Sequence, residues 1–275
     1  MTVPIFESPL IRMPRLGFGT WPMRGTECQI AVESALGLGY RHIDTAEMYG
    51  NEEAVGAAFR TAALPRADIF LTTKVWNDKP QGKQIRLAAE NSLQRLGLSD
   101  LDLYMIHWPS PELDLFGVLS AMARLQEEGL IRAVGVANFP LSLLRRAVEA
   151  KIVPIACLQV EHHVYLSQHR LLEYCILNNI VLTSYTPLAK GEVLQDAVIN
   201  RIAEKHQATP TQVALAYLLA MSQVAVIPKA ASSVRQQENL GSAKLKLDAE
   251  DLAALVALPK DRRLIDPDIA PNWEA

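Results

Sequence analysis

The sequence has little of several features that mark whole classes of protein. Its 275 residues include only three cysteines, Cys28, Cys157 and Cys175, which lie far apart. Such a sparse, odd-numbered set predicts reduced thiols and argues against a disulfide framework or a zinc site. No segment approaches about 18 consecutive apolar residues, so the sequence predicts no membrane-spanning helix.

Positive charge is not in excess either. The 27 lysines and arginines are outnumbered by 30 aspartates and glutamates, and the formal net charge is -3. Proteins that bind nucleic acid usually carry a basic stripe, so we expect no nucleic-acid partner. The first residues contain Glu7 and several prolines but no basic stretch followed by an apolar run. They predict no signal peptide, and the expected location is the cytoplasm.

What the sequence does contain is a regular alternation of two kinds of segment. Short apolar segments rich in β-branched residues alternate with longer segments of helical periodicity. The eight segments with strand character are 16–20, 40–43, 69–74, 101–107, 131–136, 155–159, 180–184 and 224–228. Because a helical segment follows each of them, the strands can all run parallel.

Eight strand–helix units predict a (β/α)8 TIM barrel, an α/β fold that commonly places roughly 200–250 residues in one domain. We therefore predict a single domain over residues 1–275. Residues 2–13 do not fit the alternation, and we predict that they form a short hairpin closing the floor of the barrel. After the eighth unit, the sequence predicts an extra helix at 248–258 and an irregular tail that packs on the body.

Four polar residues stand at or just after the ends of three strand segments. In a (β/α)8 barrel the carboxyl ends of the strands carry the chemistry. Asp44 and Tyr49 follow the second segment, Lys74 ends the third, and His107 ends the fourth. We expect the Lys74 ammonium to lower the pKa of the Tyr49 phenol from about 10, and Asp44 to keep Lys74 charged. Tyr49 would then protonate a carbonyl oxygen as a general acid, with His107 orienting that oxygen.

Aromatic residues fall on the same predicted rim. Trp21, Trp76 and Trp108 each lie at the end of a strand segment, next to polar groups. Core filling is one interpretation, but three tryptophans on one rim favour the walls of a substrate pocket. Each of the four polar residues alone also fits a structural role, as a cap, a solvated charge or a hydrogen-bonded core residue.

A second group of residues predicts an anion site. Lys229 follows the eighth strand segment, and Ser232 and Arg235 lie at the start of the next helical segment. The N-terminus of a helix favours negative charge, and two cations add charge-assisted hydrogen bonds. A phosphate group would fit here.

Eight motifs in one order resemble the aldo-keto reductase superfamily, over nearly the whole chain from about Leu16 to Trp273. They are GFGTW, GYRHIDTAEMYGNEEAVG, TTKVW, DLYMIHWP, GVANF, QVEHHVYL, SYTPLAKG and IPKAASSVRQQENL. The ending RLIDPDIAPNWE is similar to that of the B form of the bacterial 2,5-diketo-D-gluconate reductases, and the chain as a whole resembles that group most.

The resemblance implies a monomeric reductase of aldehydes and ketones that uses NADPH. It assigns Tyr49 as the proton donor, with Asp44, Lys74 and His107 completing a catalytic tetrad. It also implies that the nicotinamide stacks on an aromatic ring, that two amides hold its carboxamide, and that the basic helix start binds the 2′-phosphate. The cofactor-binding residues implied in this way are Asn138, Gln159, Tyr185, Leu188, Lys229, Ser232, Arg235, Glu238 and Asn239. Ala137 departs from the family pattern, which usually has serine there.

Several alternatives stay open at this point. The substrate is expected to be a small dicarbonyl or a keto-sugar acid, and an acid would need a cation at the pocket mouth, such as Arg262 or Arg263. A Schiff-base lyase or aldolase with Lys74 as nucleophile is a rival reaction, and a non-catalytic NADPH-binding regulatory subunit is a rival function. No metal site is expected, because the adjacent histidines His162 and His163 would point to opposite faces of an extended segment.

Overall fold

The computed structural model describes residues 3–79 and 81–274, and a parallel sheet of eight strands forms its centre. Predictions that touch residues 1, 2, 80 and 275 lie outside the described residues. The strands in chain order are β1 Ile5–Glu7, β2 Arg12–Pro14, β3 Phe18–Gly19, β4 His42–Asp44, β5 Phe70–Val75, β6 Leu101–Ile106, β7 Ile131–Ala137, β8 Ile155–Glu161, β9 Val181–Tyr185 and β10 Val224–Val226.

The sheet follows chain order from β3 to β10, and every neighbouring pair in it is parallel. Its two edges also meet. The Gly17 amide donates to the Val226 carbonyl at 2.8 Å, and the Val226 amide donates to the Arg15 carbonyl at 2.8 Å. These bonds join the segment before β3 to β10, so the described strands confirm the predicted (β/α)8 barrel.

Helices follow the strands and cover the outside of the sheet. Their bounds are α1 Gly25–Leu38, α2 Glu52–Ala62, α3 Gly82–Leu96, α4 Leu115–Glu127, α5 Leu141–Glu149, α6 His169–Leu177, α7 Ala197–Lys205, α8 Pro210–Ala220, α9 Ser233–Gly241 and α10 Ala249–Val256. Side-chain caps fix several starts: Thr209 accepts from the Gln212 amide before α8, and Asp248 accepts from the Asp251 amide before α10. Helix α10 is the predicted extra helix.

The predicted N-terminal hairpin is confirmed in the described residues, with β1 and β2 pairing antiparallel. Phe6, Ile11 and Met13 pack in one buried apolar cluster with Phe70 and Leu103, which lie near the amino ends of β5 and β6. The hairpin therefore closes the end of the barrel opposite to the strands' carboxyl ends, and it leaves that other end for chemistry.

The segment after α10 returns to the carboxyl end of the barrel. Asp261 pairs with Leu166 in an isolated antiparallel bridge, and the Arg262 amide donates to the Tyr165 carbonyl at 2.9 Å. Residues 261–274, called the tail below, thus lie against the loop between β8 and α6. Within the described ranges no helix is both long and apolar enough to cross a membrane.

Candidate active site

An ion pair lies buried at the carboxyl end of the barrel, where β4 and β5 end side by side. The Lys74 Nζ is 2.6 Å from Asp44 Oδ1 and also donates to the Thr45 carbonyl at 2.9 Å. The two side chains are 0% and 2% exposed. Burial alone lowers the pKa of Lys74, but Asp44 and Tyr49 outweigh it, so the pKa lies above its ordinary value. Lys74 is therefore an ammonium at neutral pH.

The second oxygen of Asp44 is occupied as well. Gln159, on β8, donates from its Nε2 to Asp44 Oδ2 at 2.8 Å. Each carboxylate oxygen thus accepts from a different donor, which fixes the orientation of the carboxylate and keeps the ammonium of Lys74 in one place.

Tyr49 lies next to this ion pair, in a single 3-10 turn, Glu47–Tyr49, between β4 and α2. The Lys74 Nζ is 5.2 Å from the centre of the phenol ring. The ring in turn meets the His107 imidazole edge to face, with centroids 5.5 Å apart. The structure therefore brings together the four polar residues that the sequence placed on one rim.

The net shift of the Tyr49 pKa differs in sign from our expectation. Burial raises the pKa of Tyr49 above 10, and the positive charge of Lys74 only partly opposes this. Lys74 does lower the pKa of this phenol, as predicted, but the net pKa lies above 10, because the sequence did not show how deeply the phenol is buried. The phenol is protonated at neutral pH.

The imidazole of His107 is neutral. Burial lowers its pKa well below 6.5, and the nearby Lys74 charge lowers it further. Its Nδ1 is buried without a hydrogen-bond partner among the described residues. The Trp76 ring lies edge to face against the imidazole at 5.1 Å. A neutral imidazole that carries one N–H can donate a hydrogen bond to an oxygen in the pocket.

Aromatic rings form the walls around these groups. Trp21 is 46% exposed and lies 5.0 Å from the Tyr49 ring, at the solvent side of the site. Trp108 is buried and meets Trp273 of the tail edge to face at 6.0 Å. The guanidinium of Arg263 stacks on Trp273, 3.8 Å from the ring centre. Trp273 could not be assigned to the site from the sequence, because nothing in its local pattern shows where the tail lies.

The residues implied to hold the nicotinamide lie on the same rim and contact one another. Asn138, just after β7, adopts the left-handed conformation with φ 61, which asparagine tolerates better than most residues. Its Nδ2 donates to the His107 carbonyl at 2.9 Å, and its Oδ1 accepts from the Tyr185 hydroxyl at 2.8 Å. Tyr185 is half-buried at the end of β9. A hydrogen bond thus joins Tyr185 to Asn138, which also contacts the backbone of His107 in the tetrad.

The residues implied to bind the phosphate lie farther along the chain, at the start of α9. Lys229, Ser232 and Arg235 are all exposed. The Ser232 hydroxyl caps α9 by accepting from the Arg235 amide at 3.4 Å. Two exposed cations beside a helix N-terminus suit a phosphate dianion.

Glu238 and Asn239, which the family resemblance implies reach the adenine, are half-buried and buried. Asn239 is 2% exposed, and Glu238 accepts a hydrogen bond from the Thr209 hydroxyl at 2.7 Å. Leu188 is half-buried and stands just before a short helical segment, Ala189–Gln195. In that segment the ammonium of Lys190 donates to the Leu264 carbonyl of the tail at 3.1 Å.

The Glu161-His162-His163 run connects the barrel to the tail. His162 and His163 have different partners, Ser184 Oγ and Glu161 Oε1, each at 3.0 Å. Glu161 is fully buried and accepts from the tail amides of Leu264 at 2.7 Å and Ile265 at 3.0 Å. From the sequence, these three residues were considered only as metal ligands and judged unsuitable. In the structure, the Glu161 carboxylate anchors the tail.

Another group of possible metal ligands lies away from the strand ends, where α7 and α10 meet. His206, Asp248 and Asp251 come together there. Lys205 already lies within this group, with its Nζ 2.6 Å from Asp248 and 2.8 Å from Asp251. Its ammonium offsets part of the negative charge of the two carboxylates.

Comparison with known proteins places this geometry in context. A model described as the aldo/keto reductase family matches residues 15–260. The chain is 38% identical over 266 residues to the methylglyoxal reductase DkgB of Escherichia coli O157:H7, covering 95% of this chain and 99% of that protein. It is 40% identical over 265 residues to the 9,11-endoperoxide prostaglandin H2 reductase of Trypanosoma cruzi, covering 94% and 92%.

Solved structures give the same result for the fold. A crystal structure of a protein described as a 2,5-diketo-D-gluconic acid reductase B superposes with a TM-score of 0.92 at 37% identity. The match covers 95% of this chain and 94% of the other. An aldo-keto reductase from a Medee basin deep-sea metagenome library, MGS-M4, matches with a TM-score of 0.89 at 37% identity, covering 92% and 94%.

Proposed function

Since this chain belongs to the aldo/keto reductase family and reduces carbonyl compounds to alcohols, we propose that it uses NADPH and that Tyr49 is the proton donor. The observation that carries this proposal is the buried Lys74–Asp44 ion pair beside the rings of Tyr49 and His107. The other proposed members of the catalytic set follow from the same contacts.

Tyr49 is suited to donate a proton. Its raised pKa keeps the hydroxyl protonated at neutral pH, so the proton is present when a carbonyl oxygen binds. As the carbonyl is reduced, its oxygen becomes an alkoxide that is far more basic than a phenolate, and the proton moves from Tyr49 to that oxygen. The phenolate left behind is stabilised by the Lys74 ammonium, which cannot move away because Asp44 and the Thr45 carbonyl hold it.

His107 has a different proposed role. Because its imidazole is neutral, it does not repel the Lys74 ammonium and does not compete with Tyr49 as an acid. Its N–H orients the carbonyl oxygen by a hydrogen bond, which holds the oxygen within reach of the phenol.

The residues around the rim fit a dinucleotide. When bound, NADPH supplies the hydride that adds to the carbonyl carbon. Tyr185 offers a ring face, Asn138 and Gln159 offer amides, and the exposed Lys229 and Arg235 at the start of α9 suit the 2′-phosphate. The two cations favour NADPH over NADH, because only NADPH carries a phosphate there.

The rival lyase reaction is disfavoured by the same ion pair. A Schiff-base nucleophile must be a neutral amine. The pKa of Lys74 is raised, and its ammonium already donates to Asp44 and to the Thr45 carbonyl. These contacts support an electrostatic role for Lys74 and do not support a covalent one.

Small dicarbonyl compounds are the proposed substrates. One relative is named for methylglyoxal, and one similar structure is described as acting on 2,5-diketo-D-gluconic acid, both of which carry adjacent or nearby carbonyls. The experiment is to follow NADPH and NADH oxidation at 340 nm with methylglyoxal, a keto-sugar acid, and simple aldehydes and ketones. The proposal predicts turnover with dicarbonyls and a preference for NADPH; no turnover with any carbonyl would overturn it.

A further inference from the structure

The 3-10 turn that carries Tyr49 also carries a second side chain to the rim. Glu47, two residues before Tyr49, is only 11% exposed. Its Oε1 accepts a hydrogen bond from the Trp76 amide at 2.5 Å and another from Lys79 Nζ at 3.0 Å. Arg95 lies 4.0 Å from its other oxygen. One carboxylate therefore joins the Tyr49 turn to the loop that follows β5.

The Trp76 amide lies just beyond the end of β5, and its hydrogen-bond acceptor is the Glu47 side chain. Strand β5 ends at Val75, and the Val75 carbonyl accepts from the His107 amide at 3.0 Å. Trp76 is the next residue, and the Glu47 carboxylate is the acceptor for its amide. The first residue of this loop is thus held by a side chain from another segment and not by a neighbouring strand.

What Glu47 holds is a wall of the candidate active site. The Trp76 ring lies edge to face against His107, with centroids 5.1 Å apart and an interplanar angle of 78°. Tyr49 contacts the same imidazole at 5.5 Å. Trp76 and Tyr49 thus lie against the same imidazole, and the turn that contains Tyr49 also contains Glu47, the acceptor of the Trp76 amide.

We propose that Glu47 is a positioning residue, which sets Trp76 against His107 by accepting the Trp76 amide hydrogen and so fixes the pocket for the carbonyl group. This inference rests on the proposed function, because Trp76 matters for turnover only if that pocket binds the carbonyl. Glu47 itself touches neither Tyr49 nor His107 within the hydrogen bonds that the described residues make.

The neighbouring acid Glu52 shows what a purely structural role looks like. Glu52 is 1% exposed and accepts from Thr73 Oγ1 at 2.6 Å and from Arg95 Nε at 2.7 Å. Its partners lie on the outer side of β5 and on α3, and none is a ring of the site. Glu47 differs because one of its partners is the backbone of a pocket residue.

The direct test is an NMR measurement on protein labelled with 15N-tryptophan. The chain has four tryptophans, so four backbone amide signals are expected, and Trp76→Phe identifies that of Trp76. Glu47→Ala should move the Trp76 amide proton upfield and speed its exchange with solvent by about tenfold or more, while the other three signals stay in place. Glu47→Gln keeps an acceptor oxygen and should restore the wild-type signal. An unchanged Trp76 signal in Glu47→Ala would overturn the proposal.

Kinetics then test whether this contact matters for the reaction. Glu47→Ala should raise the KM for the carbonyl by about tenfold to 100-fold and leave the Kd for NADPH within about twofold of wild type. Glu47→Gln should stay near wild type, and so should Lys79→Gln, which removes the cation but keeps the amide bond. Glu53→Ala, an exposed acid on α2, is the matched control.

A double-mutant cycle decides whether Glu47 acts through Trp76. In a Trp76→Ala background, Glu47→Ala should cause no further loss, whereas multiplied losses would overturn the proposal. The two proposals fail differently. An inactive wild type would contradict the proposed function, and the NMR signal would still test the contact. An active wild type with an unaffected Glu47→Ala would contradict only the role of Glu47.

Discussion

Lys74 and Asp44 form a 2.6 Å ion pair in which neither side chain is more than 2% exposed. Removing two charges from water costs several kcal/mol for each ion, and their attraction offsets this only when every remaining donor and acceptor is satisfied. The Thr45 carbonyl accepts a second N–H of Lys74, and the Gln159 amide donates to the second oxygen of Asp44. The pair is therefore poorly suited to add stability and well suited to hold a positive charge at a fixed point beside Tyr49.

This view predicts how stability responds when the pair is broken. Asp44→Leu leaves a buried ammonium without its counter-charge and should lower the free energy of unfolding by about 3–5 kcal/mol. Replacing both residues, by Asp44→Leu with Lys74→Met, should recover much of that loss while the protein stays inactive. Urea unfolding followed by circular dichroism measures both. A double variant no more stable than the single one would contradict the account.

Stability should also fall in mild acid, because three imidazoles are buried in the neutral form. Burial lowers the pKa of His42 and His107, and it lowers that of His162 to about 3. In the unfolded chain each histidine takes up a proton near pH 6.5. For His162 the unfolded state therefore binds more protons between pH 6.5 and about 3, and stability falls by about 1.4 kcal/mol for each unit that the pH drops in that window. His42 and His107 act in the same direction below pH 6.5.

The pH dependence can be assigned to one residue. Unfolding free energies at pH 7.5, 6.0 and 5.0 give the slope for wild type and for His162→Gln, whose amide can keep a bond to Ser184 Oγ. The variant should lose less stability on acidification, by about one imidazole's share. Equal slopes in the two proteins would show that His162 is not kept neutral by the fold.

Cofactor choice should depend on Arg235. Arg235→Ala should weaken NADPH binding by about tenfold to 100-fold, since a hydrogen bond to a charged group contributes about 1.5–3 kcal/mol, and it should leave NADH nearly unaffected. Fluorescence titration gives both Kd values. Arg201→Ala, an exposed arginine on α7, is the control. Equal losses for NADPH and NADH would show that Arg235 does not contact the 2′-phosphate.

The tail should loosen when its anchor is altered. In the wild type, the two oxygens of Glu161 accept from the backbone N–H groups of Leu264 and Ile265. Glu161→Gln replaces one of these oxygens with an NH₂ group, which cannot accept, so one of the two hydrogen bonds is lost. Trypsin should then cut after Arg262 and Arg263 several-fold faster, as intact mass spectrometry will show, because the tail opens more often. Glu192→Gln removes only an exposed ion pair with Arg262 and should change the rate little.

Much of the fold could be predicted because its signals are local. The eight strands are apolar segments buried on both faces, and their predicted bounds differ from the observed ones by only a few residues. The tetrad could be placed for the same reason: once the barrel is known, the residues at strand ends must share one rim. Asp44, Lys74 and His107 needed no knowledge of packing beyond strand order.

The rest could not be predicted because it depends on contacts between distant segments. Trp273 lies against Trp108, and Glu161 binds the Leu264 amide, only because the tail returns to the rim. An irregular segment has no periodicity from which its path over the barrel could be predicted. The pKa of Tyr49 was misjudged for a related reason. A sequence can suggest that Lys74 is near, but it does not give the degree of burial that outweighs the charge.

The most direct test of the account is the turnover number of Tyr49→Phe, which removes only the phenolic oxygen from a buried ring. NADPH oxidation with methylglyoxal, under saturation by both reactants, should be about 10²–10⁴-fold slower than in wild type, with the Kd for NADPH unchanged within about twofold. Turnover at the wild-type rate would mean that another group delivers the proton, and it would contradict the central claim.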